Sequence, residues 1–258
     1  MNRIVILGSS SGMPEPKRAC SSILIESDSK SYLLDAGEGC ASSILKHKVK
    51  PDKIQQIFIT HTHADHSIGI FMLVQMMHLL ERNESLDIYL PEESLFWFEN
   101  MFDSLYLFPE KLKFRFELKP ITQDFIFQDE NITLRAYLNR HLSPNEEFIL
   151  EQNLPNKMES YCFTIKLDNK KIVYSGDISG KEDIEGLIDE VDFLICEATH
   201  IDPEELLEFV TRKKVKSTIL IHISEEVERK KDWLIKKAAE YNYENLKYAL
   251  DGFSIDIP

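Results

Sequence analysis

The run His61-Thr62-His63-Ala64-Asp65-His66 gathers four metal-binding side chains within six residues, directly after one apolar stretch and directly before another. Gln55 to Thr60 (QQIFIT) reads as a buried strand, and Ser67 to Arg82 reads as a helix with Ile70, Leu73, Val74, Met77 and Leu80 at helical spacing. The histidines therefore sit on a loop between a strand and a helix. Alternation along an extended stretch sends His61 and His63 to the same side, and Asp65 and His66 follow as the chain turns. Imidazole nitrogen and carboxylate oxygen suit zinc, manganese or iron, at about 2.0–2.2 Å for zinc. A solvated histidine cluster on the surface would need no such density of ligands at one strand end.

A metal takes about four ligands, so other segments must contribute. His141 follows a strand ending near Arg140, Asp177 follows Tyr174-Ser175-Gly176, and His222 ends the apolar stretch Thr218 to Ile221. Each is a ligand type just past a buried strand, where side chains from several strands converge. His47 and His78 lie inside helix candidates and read as surface or packing residues.

The remaining elements alternate. Arg3 to Leu7 is a buried strand entering the loop Gly8-Ser-Ser-Ser-Gly12, and Ser22 to Glu26 with Ser31 to Leu34 complete a β-meander. Glu38 to His47 is a short helix. In the second half, strands near 131–138, 160–167 and 171–174 precede strands 191–196 and 217–222, with helices at 204–212 and 227–241. Strand clusters with interspersed helices in both halves predict an α/β chain of two sheets face to face with helices outside; 258 residues allow one domain or two, and one domain over 1–258 is the expectation. Pro144 to Asn156 is the most loop-like long segment.

Hydrophobic content of 43% supplies a substantial core and excludes a disordered chain. Four scattered cysteines without a CxxC pair argue against a disulfide framework or thiolate zinc cluster and for a reducing, cytoplasmic setting. The apolar run near the N-terminus is too short for a signal-peptide core, and no stretch reaches the roughly 20 apolar residues of a membrane span. The net charge of −14 disfavours a long polyanion as a global partner. The basic clusters at 212–216 and 229–231 read as solvated helix faces. Helix 67–82, rich in Met and Leu, is expected to pack on its own sheet, with a second copy in a homodimer as the other option.

Taken in order, HTHADH at 61–66, His141, SGD at 175–177 and His222 resemble the successive metal motifs of the metallo-β-lactamase superfamily across most of the chain. The resemblance implies a four-layer αββα sandwich with two divalent ions, zinc foremost with Mn2+ or Fe2+ as substitutes. It assigns one ion to His61, His63 and His141 and the other to Asp65, His66 and His222, with Asp177 bridging. Within the superfamily, LGSSSGMPEPKRACSS at 7–22 and Glu197-Ala198-Thr199 resemble the ribonuclease Z branch, which cuts the 3′ trailer from precursor transfer RNA. Two features depart from that branch. The 36-residue interval from His141 to Asp177 is too short for the protruding arm that grips transfer RNA, and Cys196 stands where the HEAT motif has its first histidine.

Such a centre implies a phosphodiesterase acting on RNA 3′ ends or on a small or cyclic nucleotide-like diester. Asp65 would ligate metal and orient the attacking hydroxide, Glu197 with His200 would pass a proton to the leaving group, and Lys17 and Arg18 would contact substrate phosphate. The other options are a thioesterase or lactonase on the same platform, and a metal-retaining regulatory protein, against which the intact ligand set argues.

Overall fold

The structure is a computed structural model and describes residues 2–258. The chain divides into two compact units, one formed by the residues up to Ile121 with Leu250–Pro258, the other by Thr122–Ala249. Numbered along the chain, the first unit contains β1 (Asn2–Gly8), β2 (Ser22–Glu26), β3 (Ser31–Leu34), β4 (Ile54–Phe58), β5 (Leu86–Pro91), β6 (Phe116–Ile121) and the last strand, β14 (Ser254–Ile257). They form one sheet in the order β14-β1-β2-β3-β4-β5-β6. Pairing is antiparallel from β14 to β3 and parallel from β3 to β6. The meander expected at the start of the chain is the antiparallel half.

The helices of this unit are α1 (Cys40–Lys46), α2 (Ala64–Ser67), α3 (Gly69–Leu79) and α4 (Leu95–Ser104). Val5, Leu7, Leu24, Leu33, Ile57 and Ile88 form one core with Ile44 of α1, Ile70, Leu73, Val74 and Met77 of α3, and Phe98 and Phe102 of α4. Helix α3 thus packs on its own sheet, as its spacing predicts. The intervening strand residues Ile4, Ile6, Ile23, Ile25 and Tyr32 are fully buried too. Burial on both faces explains why β1 reads as a continuous apolar run instead of an alternating one. Each such side chain contributes about 1.5–3 kcal/mol.

The expected helix 67–82 is α3, which starts at Gly69 after the short α2 and ends sooner, at Leu79. Arg82 is 1% exposed and lies beyond α3. Its Nε donates to the Glu84 carbonyl at 2.7 Å, Nη1 to Pro51 at 2.6 Å, and Nη2 to Ile54 at 2.7 Å and Ser85 at 2.8 Å. The guanidinium thereby ties the entries of β4 and β5 together through four carbonyl groups, and burial pushes its pKa down to about 10.

In the second unit, β7 (Ile126–Gln128), β8 (Ile132–Leu138), β9 (Tyr161–Leu167), β10 (Lys170–Tyr174), β11 (Phe193–Glu197), β12 (Thr218–Ile221) and β13 (Leu246–Tyr248) form a sheet in sequence order. Again three antiparallel pairings, β7 to β10, are followed by three parallel ones, β10 to β13. Its helices are α5 (Glu146–Gln152), α6 (Pro203–Arg212), α7 (Glu225–Arg229) and α8 (Lys231–Glu240). Asp202 caps α6 by accepting the N–H groups of Glu204 and Glu205 at 2.9 and 3.0 Å, ahead of Pro203. Leu206, Leu207, Phe209 and Val210 of α6 then share a core with Leu194, Leu220 and Leu234.

Three sequence expectations need amendment. The segment 144–156 contains helix α5, started by a turn at Ser143-Pro144-Asn145 and stopped by Asn153 at φ 51°. The strand expected at 191–196 runs from Phe193 to Glu197, which brings Glu197 into the strand end. The stretch 83–130 holds β5, α4, β6 and β7, none of which stood out in the sequence. No helix among the described residues is long and apolar enough to cross a membrane.

Replacing Arg82 by Ala leaves four carbonyls without their donor and is expected to destabilise the fold by about 3 kcal/mol. A urea midpoint unchanged from wild type would contradict this role.

Candidate metal centre

The parallel strands of both units end in polar residues, and these endings build two donor groups. In the first unit, β4 ends at Phe58 and the chain continues through Ile59 and Thr60 to His61, which is fully buried. His61 Nε2 lies 3.0 Å from His63 Nδ1, so the two rings do project to one side. The His61 and His66 ring centroids are 4.2 Å apart, and His66 Nε2 lies 3.5 Å from Asp65 Oδ2. The four residues of the HTHADH run that the sequence nominates are therefore together.

They are held by a residue the sequence reading missed. Asp35, fully buried just past β3, accepts the Thr60 N–H at 2.7 Å through Oδ1, and its Oδ2 meets His66 Nδ1 at 2.7 Å. Thr60 Oγ1 donates to Asp35 Oδ2 at 2.9 Å and lies 3.0 Å from His61 Nδ1. A proton on each Nδ1, directed to Thr60 and Asp35, leaves the Nε2 lone pairs of His61 and His66 facing the other donors. The signal for Asp35 was in the sequence: an apolar strand ending in Asp-Ala-Gly, like the one ending in Ser-Gly-Asp177. Gly37 follows because the Asp65 carbonyl packs against it; a Cβ there would stand 2.1 Å from that oxygen.

In the second unit, Asp177 Oδ2 lies 3.4 Å from His222 Nε2, 3.6 Å from His141 Nε2 and 3.8 Å from His200 Nδ1. Two donors on one tetrahedral ion, each about 2.1 Å from it, are about 3.4 Å apart. The spacings exceed a hydrogen bond and match donors sharing a cation, and Asp177 and His222 are each only 2% exposed. Asn139, a second residue not nominated from the sequence, accepts the His141 N–H at 3.0 Å and donates to the Asp177 carbonyl at 3.0 Å, locking two nominated residues to one another.

Glu197, fully buried at the end of β11, accepts the N–H groups of Thr199 and His200 at 2.6 and 2.9 Å through Oε2, while Oε1 lies 3.4 Å from His200 Nδ1. Glu197, His200 and His222 offer donor atoms within 4.8 Å of one another. Asp35 and His222 both adopt left-handed backbone, at φ 56° and 51°. Non-glycine residues there carry strain of about 1–3 kcal/mol, which persists where the surroundings fix them. Lys17 is exposed, and Arg18 is engaged by Glu15 through Nε at 2.9 Å.

The cysteines take no part. All four are buried and unpaired. Burial pushes the Cys20 thiol up to about 11, Cys40 and Cys162 to about 12, and Cys196 well above its ordinary value. None is a thiolate at neutral pH.

The fold and the donor chemistry define a metal-dependent hydrolase of the metallo-β-lactamase fold. Human tRNase Z, short form, matches over 99% of both chains at TM-score 0.76 and 22% identity. The metallo-β-lactamase fold protein YhfI from Bacillus subtilis matches over 99% of this chain and all of that one at TM-score 0.75 and 19% identity. Ribonuclease Z of Pyrococcus abyssi is 28% identical over 237 residues, covering 80% of this chain and 77% of the relative. The model of the family Anti-Pycsar protein Apyc1 matches residues 2–242, and the chain belongs to that family.

Asp35→Asn, which takes the carboxylate from His66, is expected to weaken zinc binding by about 10–100-fold in a chelator competition; equal affinity would contradict the orienting role. The raised thiol pKa values predict that the native protein reacts slowly with a thiol reagent at pH 8 and that denaturation releases all four groups. Rapid labelling of the native protein would overturn that.

Proposed function

We propose that the chain acts as a single catalytic domain in which the two donor groups form one dinuclear centre that hydrolyses a phosphodiester. One divalent ion would take His61, His63 and His141, the other Asp65, His66 and His222, with Asp177 bridging. The observation that carries this is the approach of His222 and His141 Nε2 to Asp177 Oδ2 at 3.4 and 3.6 Å, beside the orientation of His66 by Asp35 in the other group. Zinc, with manganese or iron as substitutes, would supply Lewis-acid stabilisation of the diester's charge and acidify a water molecule.

The chain's own groups have distinct tasks. The Asp65 carboxylate, beside its place among the donors, orients the attacking water. Glu197 is fixed as an acceptor by two backbone N–H groups and holds His200, whose ring is 38% exposed and so can reach a leaving oxygen. His200 would hand its proton to that oxygen, and Glu197 would stabilise its charged form. Lys17, exposed on the N-terminal loop, is available to the substrate phosphate.

A small or cyclic nucleotide-like diester is the preferred substrate, because the interval between His141 and Asp177 adds only the short α5 to the sheet strands β9 and β10, and the acidic chain gains little from a long polyanion. Cleavage of an RNA 3′ end is the second reading, favoured by the likeness to ribonuclease Z of Pyrococcus abyssi. The four buried, unpaired thiols support a reducing compartment such as the cytoplasm.

The metal-loaded protein should cleave bis(p-nitrophenyl) phosphate and 2′,3′- or 3′,5′-cyclic mononucleotides, and leave thioesters and lactones intact. Turnover of a thioester or lactone with no diester cleavage would reject the proposal, and cleavage of precursor transfer RNA alone would select the second reading. Glu197→Gln should lower kcat by about 10²–10⁴-fold while two ions remain bound. Asp177→Ala should lose at least one ion per chain, and two ions retained would overturn the bridging assignment.

A further inference from the structure

Outside both donor groups, one carboxylate joins the two feet of the N-terminal loop. Asp251 Oδ1 accepts the Ser9 N–H at 3.0 Å and the Ser9 hydroxyl at 2.8 Å, and Oδ2 accepts the Ala19 N–H at 2.7 Å. The Ser10 N–H donates to the Ala19 carbonyl at 3.0 Å beside it. Asp251 itself is set by the edge of the sheet, since the Gly252 N–H donates to the Ile6 carbonyl at 2.8 Å and the Ile6 N–H to that of Phe253 at 2.9 Å. The loop it closes runs from Ser9 to Ala19 and meets the donor group directly: a Cβ on Gly12 would stand 3.4 Å from Asp65 Oδ2.

Ser9, Ser10 and Ser11 at one foot are buried, and Cys20 Sγ donates to the Ser11 carbonyl at 3.8 Å, but the apex has no such cover. Gly12, Met13, Pro14, Pro16 and Lys17 are exposed, so apolar burial cannot fix its apex. Its internal ties, Ser10 Oγ to the Met13 carbonyl at 3.0 Å and Arg18 to Glu15, shape the loop without anchoring it to the sheet. Three hydrogen bonds to one carboxylate are charge-assisted, the stronger kind. A staple at the feet therefore decides where Gly12 and Lys17 stand relative to Asp65.

We infer that Asp251 is a positioning residue of the site: by clamping Ser9 and Ala19 it holds the 9–19 loop against the Asp65 carboxylate and so pre-organises the loop's contacts with substrate. The inference rests on the phosphodiesterase reading for the identity of the substrate, but the clamp itself does not. Preorganisation of this kind acts on binding before chemistry, so its loss raises KM more than it lowers kcat.

Asp251→Asn preserves shape but turns one acceptor oxygen into an NH2 group facing a donor, and Ser9→Ala removes only the hydroxyl bond. Amide exchange of residues 9–19 is expected to accelerate in Asp251→Asn, with two ions still bound and the melting temperature close to wild type. With bis(p-nitrophenyl) phosphate, KM is expected to rise about tenfold while kcat stays within about twofold, and Ser9→Ala should show a smaller rise. Unchanged exchange in the loop would overturn the clamp, and faster exchange with unchanged KM and kcat would reduce it to a structural tie. If the wild type leaves the diester intact but turns over a thioester or lactone, the phosphodiesterase reading falls, and the same KM comparison on that ester still decides the role of Asp251.

Discussion

A fully buried carboxylate, Asp35, organises the first half of the molecule. Asp35 stands at the end of β3, takes a backbone N–H and a hydroxyl from the segment after β4, and takes His66 from the start of the next helix. Three stretches of chain that are distant in sequence are fixed by one side chain. Leaving such a carboxylate unsatisfied in the interior is expensive, so the ladder between β3 and β4, the turn through Gly37 and the entry to α2 all have to be correct together. The imidazole orientations that suit a metal are a consequence of that requirement.

The second half reaches the same end by different means. Its sheet repeats the pattern of three antiparallel pairings followed by three parallel ones, and its polar residues again follow the ends of the parallel strands. Asp177 comes after β10 much as Asp35 comes after β3, but it faces three imidazoles where Asp35 faces one. One strand pattern places a carboxylate that orients a histidine in the first unit and a carboxylate surrounded by imidazoles in the second. The parallel half of each sheet explains why: strands running the same way bring their ends to one edge, where short loops can present side chains together.

The legibility of this arrangement in the sequence followed the physics of each signal. HTHADH was visible because four donors fall within six residues, and β1 and β12 because their apolar runs, Ile4 to Leu7 and Ile219 to Ile221, are buried on both faces. The nominated donors in each half do cluster. Asp35 and Asn139 were not nominated because their role is to bind other residues: Asp35 follows an apolar strand as Asp177 does but stands outside the histidine pattern, and Asn139 is not a metal-ligand type. Strands β5 and β6 were overlooked because polar residues such as Asp87, Glu117 and Lys119 interrupt their apolar pattern. Helix α5 escaped for the opposite reason: it buries no residue, so nothing in its apolar spacing distinguishes it from a loop.

The pairing of β14 with β1 has a consequence for how the chain comes to be folded during synthesis. The second unit is one continuous stretch, whereas the first cannot be completed until its final nine residues, 250–258, are available. Asn2 pairs with Ile257, a reach across nearly the whole of the described chain. The unit synthesised first is therefore the unit finished last, and until then its edge strand β1 lacks a partner on one side. Strands β1 and β14 finally lie side by side at one side of the sheet, so that a permuted chain in which a short link runs from β14 to β1 and the chain is opened elsewhere would preserve every strand pairing while changing only the order in which they form.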